Sequence, residues 1–290
     1  MNLIVFGFGY TASRFVELHR HRFNHVAGTA RSHEKAARLS GPELTIRILS
    51  PDEVAPEIIG DLAAADALLV SIPPDREGDP VLARFADVIA AAPHLAWIGY
   101  LSTIGVYGDQ DGAWIDETET PRPVNARAQQ RVAAEQAWLD LGAASGKAVQ
   151  VFRLAGIYGP GRGPLRKLAD GTAKRLVKPG QVFNRIHVDD IAAVLAASLD
   201  RPRAGAIYNV SDDEPAPPQE VVGFAAALAS VEPPPEEPFE TAELSPMARS
   251  FYGDNKRVRN RLIRDELGAQ LAFPTYREGL TALRKAGEGP

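Results

Sequence analysis

The 290-residue sequence contains no cysteine. Without thiols it cannot form a disulfide framework, a Cys-ligated zinc site or an iron–sulfur cluster, and it has no thiolate nucleophile. A chain of this length buries enough surface to fold without such cross-links. The absence of cysteine is typical of proteins in a reducing compartment, so we expect a cytoplasmic protein with no metal site.

The sequence also lacks a basic excess and long apolar runs. Its 37 acidic side chains outnumber 32 basic ones, giving a net charge of −5, whereas nucleic-acid-binding surfaces depend on clustered Lys and Arg. No run of about 18 apolar residues is present, so no membrane-spanning helix is predicted. Residues 1–7 read as a strand without the basic region or cleavage site of a secretory signal. We expect a small-molecule substrate, with neither nucleic acid nor membrane as partner.

Short apolar runs alternate with amphipathic stretches through the first two thirds of the chain. The runs cover residues 3–6, 25–29, 44–49, 67–72, 96–101 and 149–153. Runs of this length, bounded by loop residues, are typical of parallel strands that are covered on both faces. Helical spacing follows the capping pair Asp79-Pro80 and recurs around Trp138 and over residues 191–199. This alternation predicts an α/β protein with a doubly wound sheet.

The pattern changes after residue 204. A strand-like segment at 206–210 precedes a predicted helix at 218–230, and the Pro- and Glu-rich residues 231–238 are predicted to form an extended loop. We expect a large sheet domain over residues 1–160, on which helix 189–200 also packs. The smaller lobe is expected over residues 161–290, interleaved with the first.

A glycine-rich turn, Gly7-Phe8-Gly9-Tyr10-Thr11-Ala12, directly follows the first predicted strand and opens a helix. Gly7 permits the tight turn, Gly9 lets the backbone approach a pyrophosphate, and the small Ala12 allows close helix–strand packing. The helix N-terminus adds unpaired N–H groups and a partial positive charge. A purely structural turn would show the same glycines, but the position in a βαβ pattern predicts a Rossmann-type dinucleotide site. Its predicted contacts are Gly7, Phe8, Gly9, Tyr10 and Thr11.

The end of the second strand bears on which dinucleotide binds. NAD sites place an Asp or Glu there to accept hydrogen bonds from the ribose, whereas this sequence has Arg31-Ser32. Arg31 can pair with a 2′-phosphate, as can the Ser32 hydroxyl, so we predict NADP rather than NAD. The alternative is a surface arginine beside a serine helix cap. Ser71, Ile72 and Pro73 are predicted to line the cofactor crevice or simply to end the fourth strand.

Four further segments resemble the extended short-chain dehydrogenase/reductase superfamily, which includes NAD(P)-dependent sugar epimerases and dehydratases. The segments are residues 100–108 (YLSTIGVYG), 153–162 (RLAGIYGPGR), 186–191 (IHVDDI) and 207–210 (IYNV). With the glycine turn they extend over residues 1–215. The resemblance implies a Rossmann-type doubly wound parallel sheet with a smaller C-terminal α+β lobe, and it assigns residues 207–210 to a strand of that lobe.

The resemblance also implies roles for individual residues. Thr103 falls at the position of the catalytic hydroxyl, where a hydroxyl can hydrogen-bond a substrate oxygen, and Ser102 is expected beside the cofactor. Leu154, Ala155, Gly156 and Ile157 fall on the segment that faces the nicotinamide, largely through backbone. His187 is interpreted as a structural residue that tethers its strand.

The chain departs from the family at the Tyr-x-x-x-Lys pair that transfers the proton and holds the ribose. These positions align with Arg127 and Arg131, and Arg127 cannot act as an acid or base because arginine keeps its proton. Arg131 can still hold a ribose hydroxyl or a phosphate, unless both arginines belong to a solvated helix face. Tyr107 and Tyr158 are the candidates to replace the missing proton donor, and packed loop aromatics are the alternative. The resemblance is therefore to an atypical branch.

The residues expected to bind the substrate also depart from the family pattern. Sugar-nucleotide enzymes commonly place a diphosphate-binding arginine four residues before the position of His187, and this chain has Phe183 there. Tyr158, Arg162 and Arg185 are candidates for binding a different, small or anionic substrate. An NADP-dependent oxidoreductase or epimerase-like enzyme and a non-catalytic NADP-binding sensor or partner-binding protein both remain open.

The family also suggests a homodimer formed by helices around the fourth and fifth strands. Trp138 and Leu141 would then lie either at that interface or in the core.

Overall fold

A computed structural model describes residues 1–290, apart from the side chain of Met247. Strands and helices alternate through most of the chain. The strands are β1 (Asn2–Phe6), β2 (His25–Ala30), β3 (Leu44–Ile48), β4 (Ala67–Val70), β5 (Trp97–Thr103), β6 (Trp114–Ile115), β7 (Ala148–Leu154), β8 (Gly156–Tyr158), β9 (Arg175–Val177), β10 (Arg185–His187), β11 (Ala206–Val210), β12 (Glu236–Pro238) and β13 (Arg257–Val258). The helices are α1 (Tyr10–His19), α2 (His33–Leu39), α3 (Glu57–Ala64), α4 (Leu82–Ala91), α5 (Ala126–Ser145), α6 (Pro164–Ala169), α7 (Val188–Asp200), α8 (Pro218–Ala229), α9 (Pro246–Ser250), α10 (Arg261–Asp265) and α11 (Tyr276–Lys285).

The main sheet has seven strands in the order β3-β2-β1-β4-β5-β7-β11. Strand β1 runs parallel to both β2 and β4, and β4 runs parallel to β5. The order reverses between β1 and β4, and doubly wound sheets bind ligands outside the carboxyl ends of their strands at such a point. The predicted Rossmann-type doubly wound parallel sheet is therefore confirmed.

The central strands are buried on both faces, which explains their continuous apolar sequence. Helices α4 and α5 cover one face, and Trp138 of α5 is fully buried there. Asp79 connects this packing to a helix start, because its Oδ1 accepts the Val81 and Leu82 N–H groups at 2.9 and 3.1 Å while its Oδ2 accepts Trp138 Nε1–H at 3.0 Å. Leu141 packs against the same cluster. Both residues thus contribute to the core of the chain.

The chain divides into two compact units that interleave along the sequence. The first unit comprises residues 1–103, 125–153 and 191–208, and the second comprises residues 104–124, 154–190 and 209–290. The first unit includes residues 191–200 of α7. The predicted boundary at residue 160 differs from this division, because β6 pairs with β13 and β8 pairs with β10. These pairings place residues 104–124 and 154–160 in the second unit.

The expectation that residues 207–210 form a strand of the smaller lobe is wrong. Strand β11 is the edge strand of the main sheet, next to β7. The Tyr208 ring stacks on Phe152 of β7 with centroids 5.8 Å apart, and Gly205 N–H donates to Val149 O at 2.9 Å. Apolar packing against β7 therefore holds a segment that lies far from that strand in sequence.

The second unit has an α+β composition. Helices α6, α8 and α11 contribute to a core that includes Tyr158, Leu165, Val221 and Tyr276. The Pro- and Glu-rich segment 231–238 is not entirely a loop, because its last three residues form β12 in parallel register with β9. No helix of the described residues is long and apolar enough to cross a membrane.

Candidate cofactor and active site

The glycine turn between β1 and α1 has the geometry that its sequence predicts. Gly7 has a φ of +87°, and a side chain there would place its Cβ 2.8 Å from Ile72 Cγ1. Strand β2 holds the turn, since Thr29 Oγ1 accepts Gly7 N–H and Thr29 O accepts Phe8 N–H, both at 2.8 Å. Position 7 therefore requires glycine for both its conformation and its space.

The N-terminus of α1 is open to an anion. Gly9 is its N-cap residue, without a side-chain cap, and the first turn contains no acidic residue. A Cβ at Gly9 would meet Gly7 O alone, at 3.9 Å, among the described atoms, so the space beside this backbone is free. Unpaired N–H groups and the helix dipole at such an end bind phosphate oxygens. The residues present thus fit a pyrophosphate.

The other residues predicted for this turn differ in exposure. Tyr10 is half-buried and Thr11 is buried. The Phe8 ring is also buried, and a Cβ at Gly28 would lie only 2.6 Å from its Cδ2. The Phe8 ring therefore packs on β2, which leaves its backbone as the part that a ligand could reach.

The ends of β2 and β4 carry the remaining residues predicted for cofactor binding in the first unit. Arg31 and Ser32 are exposed directly after β2. Ser32 caps α2, accepting Lys35 N–H at 3.3 Å, as the alternative interpretation proposed. After β4, Ser71 N–H donates to Phe6 O at 2.8 Å. Ile72 lies against Gly7, whereas Pro73 is exposed. The two ends therefore converge on the glycine turn.

Strand β5 ends at the predicted catalytic hydroxyl. Thr103 is half-buried, and Ser102 before it is 5% exposed. The Ser102 hydroxyl donates to Glu135 Oε1 of α5, so it points into the protein. Ser102 would therefore reach a cofactor through its backbone.

Glu135 and Arg153 form a buried ion pair that the sequence analysis did not identify. Both are 3% exposed, and Arg153 donates from Nη2 to Glu135 Oε2 at 2.7 Å and from Nε to both carboxylate oxygens at 3.2 Å. With Ser102 they form a cluster that joins α5 to the ends of β5 and β7. The sequence gives only a slight sign of this ion pair, which is that the charged residue Arg153 ends the apolar run 149–153.

Helix α5 carries the two arginines that the sequence analysis aligned with the Tyr-x-x-x-Lys pair. Arg127 is exposed on the helix surface. Arg131 is half-buried, and its Nη1 donates to Tyr100 Oη at 3.1 Å and Leu101 O at 2.8 Å. Tyr100 is fully buried, and burial raises its pKa to about 12. Arg131 therefore ties α5 to β5.

The two tyrosines proposed as proton donors lie in the second unit and are buried. Tyr107 has no exposed surface, and its hydroxyl donates to Asn209 Oδ1 at 2.7 Å. Tyr158 is 4% exposed, its ring meets His187 edge-on at 5.1 Å, and burial raises its pKa. These surroundings favour the interpretation of both residues as packed aromatics.

The segment after β7 is held by backbone hydrogen bonds within the second unit. Ala155 N–H donates to Val210 O and Gly156 N–H to Asn184 O, both at 3.0 Å. Leu154 and Ala155 are buried, Ile157 is half-buried and Gly156 is exposed. Such a segment can present backbone groups to a ligand.

The substrate candidates differ in exposure. Arg162 is exposed and Arg185 is half-buried. His187 Nδ1 accepts Asp189 N–H at 3.2 Å, as expected of a histidine that tethers the start of α7. The described residues contain no group of three or more His, Asp or Glu side chains that could hold a metal ion.

Comparison with known proteins identifies the family. The model of the NAD dependent epimerase/dehydratase family matches residues 83–211. Protein YeeZ of Escherichia coli (strain K12) is 32% identical over 209 residues, which are 69% of this chain and 73% of YeeZ. The chain belongs to the NAD dependent epimerase/dehydratase family as a YeeZ-like member. The resemblance inferred from the sequence motifs is therefore confirmed.

Solved structures extend this likeness of the YeeZ-like chain. A functionally unknown conserved protein from Silicibacter pomeroyi DSS is 48% identical, with a TM-score of 0.89 over 99% of each chain. The dTDP-glucose 4,6-dehydratase of Bacillus anthracis str. Ames, in complex with NAD, has a TM-score of 0.79 over 98% of this chain and 96% of that chain. The two chains are 16% identical, and the TM-score shows that they share a fold.

Proposed function

We propose that this YeeZ-like chain is an NADP-binding oxidoreductase or epimerase-like protein that works without the Tyr-x-x-x-Lys pair on a small-molecule substrate. The observation that carries the proposal is the β1–α1 turn. Gly7 closes it at a positive φ, and the open space beside Gly9 faces a helix end without a cap. The NAD bound to the Bacillus anthracis dehydratase supports a nicotinamide dinucleotide as the ligand.

The cofactor would be held mainly by groups of the first unit. The backbone of residues 7–11 would bind the pyrophosphate, and residues 71–73 would line the adenosine side. When bound, the nicotinamide supplies hydride-transfer chemistry. The chain's own contribution at the reacting end is the Thr103 hydroxyl, which can donate a hydrogen bond to a substrate oxygen.

Arg31 supports NADP over NAD. It is exposed at the end of β2, and residues 28–32 contain no carboxylate that would accept a ribose hydroxyl. Ser32 Oγ accepts the Lys35 N–H, which leaves its own O–H free to donate to a phosphate oxygen. A guanidinium and a hydroxyl at this place suit a 2′-phosphate.

Calorimetric titration of NADPH and NADH tests the cofactor. We expect NADPH to bind more tightly, and Arg31→Ala to weaken NADPH binding about 10–100-fold with little effect on NADH, as for loss of a hydrogen bond to a charged group. Arg38→Ala is the matched control, since Arg38 is an exposed arginine of the same neighbourhood. Tighter binding of NADH by the wild type would contradict the proposal.

A panel of carbonyl compounds tests whether the protein is an enzyme, with turnover followed by the absorbance of NADPH. Thr103→Ala should abolish any activity found, and Thr103→Ser should restore it because serine keeps the hydroxyl. Equal rates in all three proteins would refute the role of Thr103.

A non-catalytic NADP-binding sensor is the second candidate. It is favoured by the burial of Tyr107, whose hydroxyl is bonded to Asn209, and by the bonding of Arg131 to Tyr100 and Leu101. Tight NADPH binding without turnover of any compound would support this candidate.

A further inference from the structure

Arg185 has a fixed position in the second unit. It is the first residue of β10, and its Nη1 donates to Phe183 O at 2.9 Å and to Ala216 O at 3.1 Å. Its own carbonyl accepts Asp212 N–H at 2.6 Å. The residue as a whole is half-buried, and its guanidinium is held in place by the backbone. A cation in this state is preorganised for a ligand.

The Arg185 guanidinium has no carboxylate partner in the described part of the chain, whereas three other arginines of this unit each have one. Arg175 pairs with Glu236 at 2.7 Å, Arg264 with Asp213 at 2.7 Å and Arg277 with Glu214 at 3.0 Å. Arg185 forms no ion pair with any carboxylate among the described residues. Burial lowers its pKa, which is the expected effect of desolvating a cation. Since arginine keeps its proton in proteins, the charge must be balanced in another way.

Two buried neighbours of Arg185 have polar atoms without hydrogen-bond partners among the described residues. One is Asp212 Oδ2, on a side chain that is 1% exposed, and the other is Tyr276 Oη, on a fully buried side chain. The Arg185 guanidinium lies over the Tyr276 ring, 5.9 Å from its centroid. Burial raises the pKa of Asp212 to about 8, although the nearby charge of Arg185 acts to lower it.

We infer that Arg185 binds an oxyanion, a carboxylate or a phosphate group, carried by the substrate, with Asp212 and Tyr276 as flanking polar groups. A guanidinium matches both oxyanions because its donors form a planar fork. The unpartnered Tyr276 hydroxyl can donate to such an oxygen, and the Asp212 carboxyl can do so in its protonated form. This inference rests on the proposed function for its meaning as a substrate site.

Titration calorimetry with inorganic phosphate and with malonate, at constant ionic strength in NaCl, tests the site. The binding that belongs to the site is the part that Arg185→Met removes, since phosphate can also occupy the glycine turn. We expect one or both anions to bind, and Arg185→Met to weaken that binding about 10–100-fold. Arg185→Lys keeps the positive charge but not the planar fork of donors, so it should lose less affinity for the anion than Arg185→Met does. Arg175→Met is the matched control, because Arg175 already has a carboxylate partner and should leave the affinity unchanged. Tighter phosphate binding would indicate a phosphorylated substrate, and tighter malonate binding a carboxylate substrate.

Two further variants separate this site from the cofactor site and from misfolding. Arg38→Ala, at an exposed arginine outside both proposed sites, should bind phosphate and malonate as the wild type does, and Arg185→Met should bind NADPH as the wild type does. Tyr276→Phe removes only the unpartnered hydroxyl and should weaken anion binding several-fold. This variant tests the site even if Arg185→Met does not fold.

The site is refuted if neither anion binds more strongly than chloride. It is equally refuted if folded Arg185→Met, or Tyr276→Phe in its place, keeps the wild-type affinity for the anion. If the wild type does not bind NADPH, the proposed function is refuted, and the result for anion binding at Arg185 still stands.

Discussion

Replacing Glu135 by leucine tests the buried cluster of Ser102, Glu135 and Arg153. The substitution leaves the Arg153 guanidinium, on a residue that is 3% exposed, without the carboxylate that accepts three of its contacts at 2.7–3.2 Å. It also removes the acceptor of the Ser102 hydroxyl. Removing one partner of a buried ion pair costs about 3–5 kcal/mol. Because a second donor also loses its acceptor, we expect a loss at the upper end of that range.

Urea unfolding followed by tryptophan fluorescence measures this loss in the correct unit. Trp97 and Trp138 are 2% and 0% exposed in the first unit, whereas Trp114 of the second unit is 47% exposed. The fluorescence change on unfolding should therefore come mainly from the first unit. Following that unit alone matters, since a chain with two compact units need not unfold in a single step.

A double variant and a surface control complete the test. Glu135→Leu with Arg153→Met removes both charges, and it should recover more than half of the lost stability because an ion pair replaced by apolar groups is often close to neutral. Glu17→Gln removes the exposed partner of Arg14, a contact of 3.0 Å, and should cost about 0–1 kcal/mol. The reasoning is refuted if Glu135→Leu costs no more than Glu17→Gln, or if the double variant is no more stable than Glu135→Leu.

Two other changes should alter stability measurably. Gln150→Met should stabilise the chain by about 1–3 kcal/mol in urea unfolding, because neither amide atom of this fully buried side chain has a partner among the described residues. Exposed Gln129→Met is the control, and a destabilised Gln150→Met would contradict the interpretation. Burial raises the pKa of Asp212 to about 8 in the folded state, whereas the pKa of an aspartate in the unfolded chain is about 4. The protonated Asp212 side chain therefore contributes fully to the unfolding free energy below about pH 4, and this contribution is lost as the pH rises through 8. Asp212→Asn should flatten the fall in unfolding free energy over that window, and identical pH profiles would show that Asp212 does not titrate there.

The main sheet could be predicted because each central strand is a local apolar run. Burial on both faces leaves a continuous signal in strands such as β1 and β4, and the intervening helices carry their own caps and spacing. Strand β11 has the same kind of sequence, but its partner was not predictable from local pattern. Its place beside β7 depends on packing between Tyr208 and Phe152, which are 56 residues apart in the numbering. Likewise, β12 forms at a Pro-rich segment because β9 supplies a pairing edge.

The candidate site also has one part that the local sequence predicts and another that it does not. The glycine turn is formed by consecutive residues, so the motif from Gly7 to Ala12 predicts both the turn and the start of the helix. The bonding of Arg131 to Tyr100 and the pairing of Glu135 with Arg153 are tertiary. A charged residue on a helix gives no sign of whether it faces solvent or a partner on a neighbouring strand. The sequence therefore left both possibilities open for Arg131, and the structure shows contact with β5.

These contacts bear directly on how an enzyme of this kind would handle a proton. In the family pattern, one face of the helix equivalent to α5 presents a tyrosine and a lysine to the reacting atoms. Here the same helix directs Arg131 to Tyr100 and Leu101, and Glu135 to Ser102 and Arg153. That face is thus engaged in holding β5 and β7, and a guanidinium releases no proton at physiological pH. Of the first-unit residues predicted to be catalytic, Thr103 is the one that carries a hydroxyl, so under the proposed function its Ala and Ser variants test whether any turnover depends on that hydroxyl.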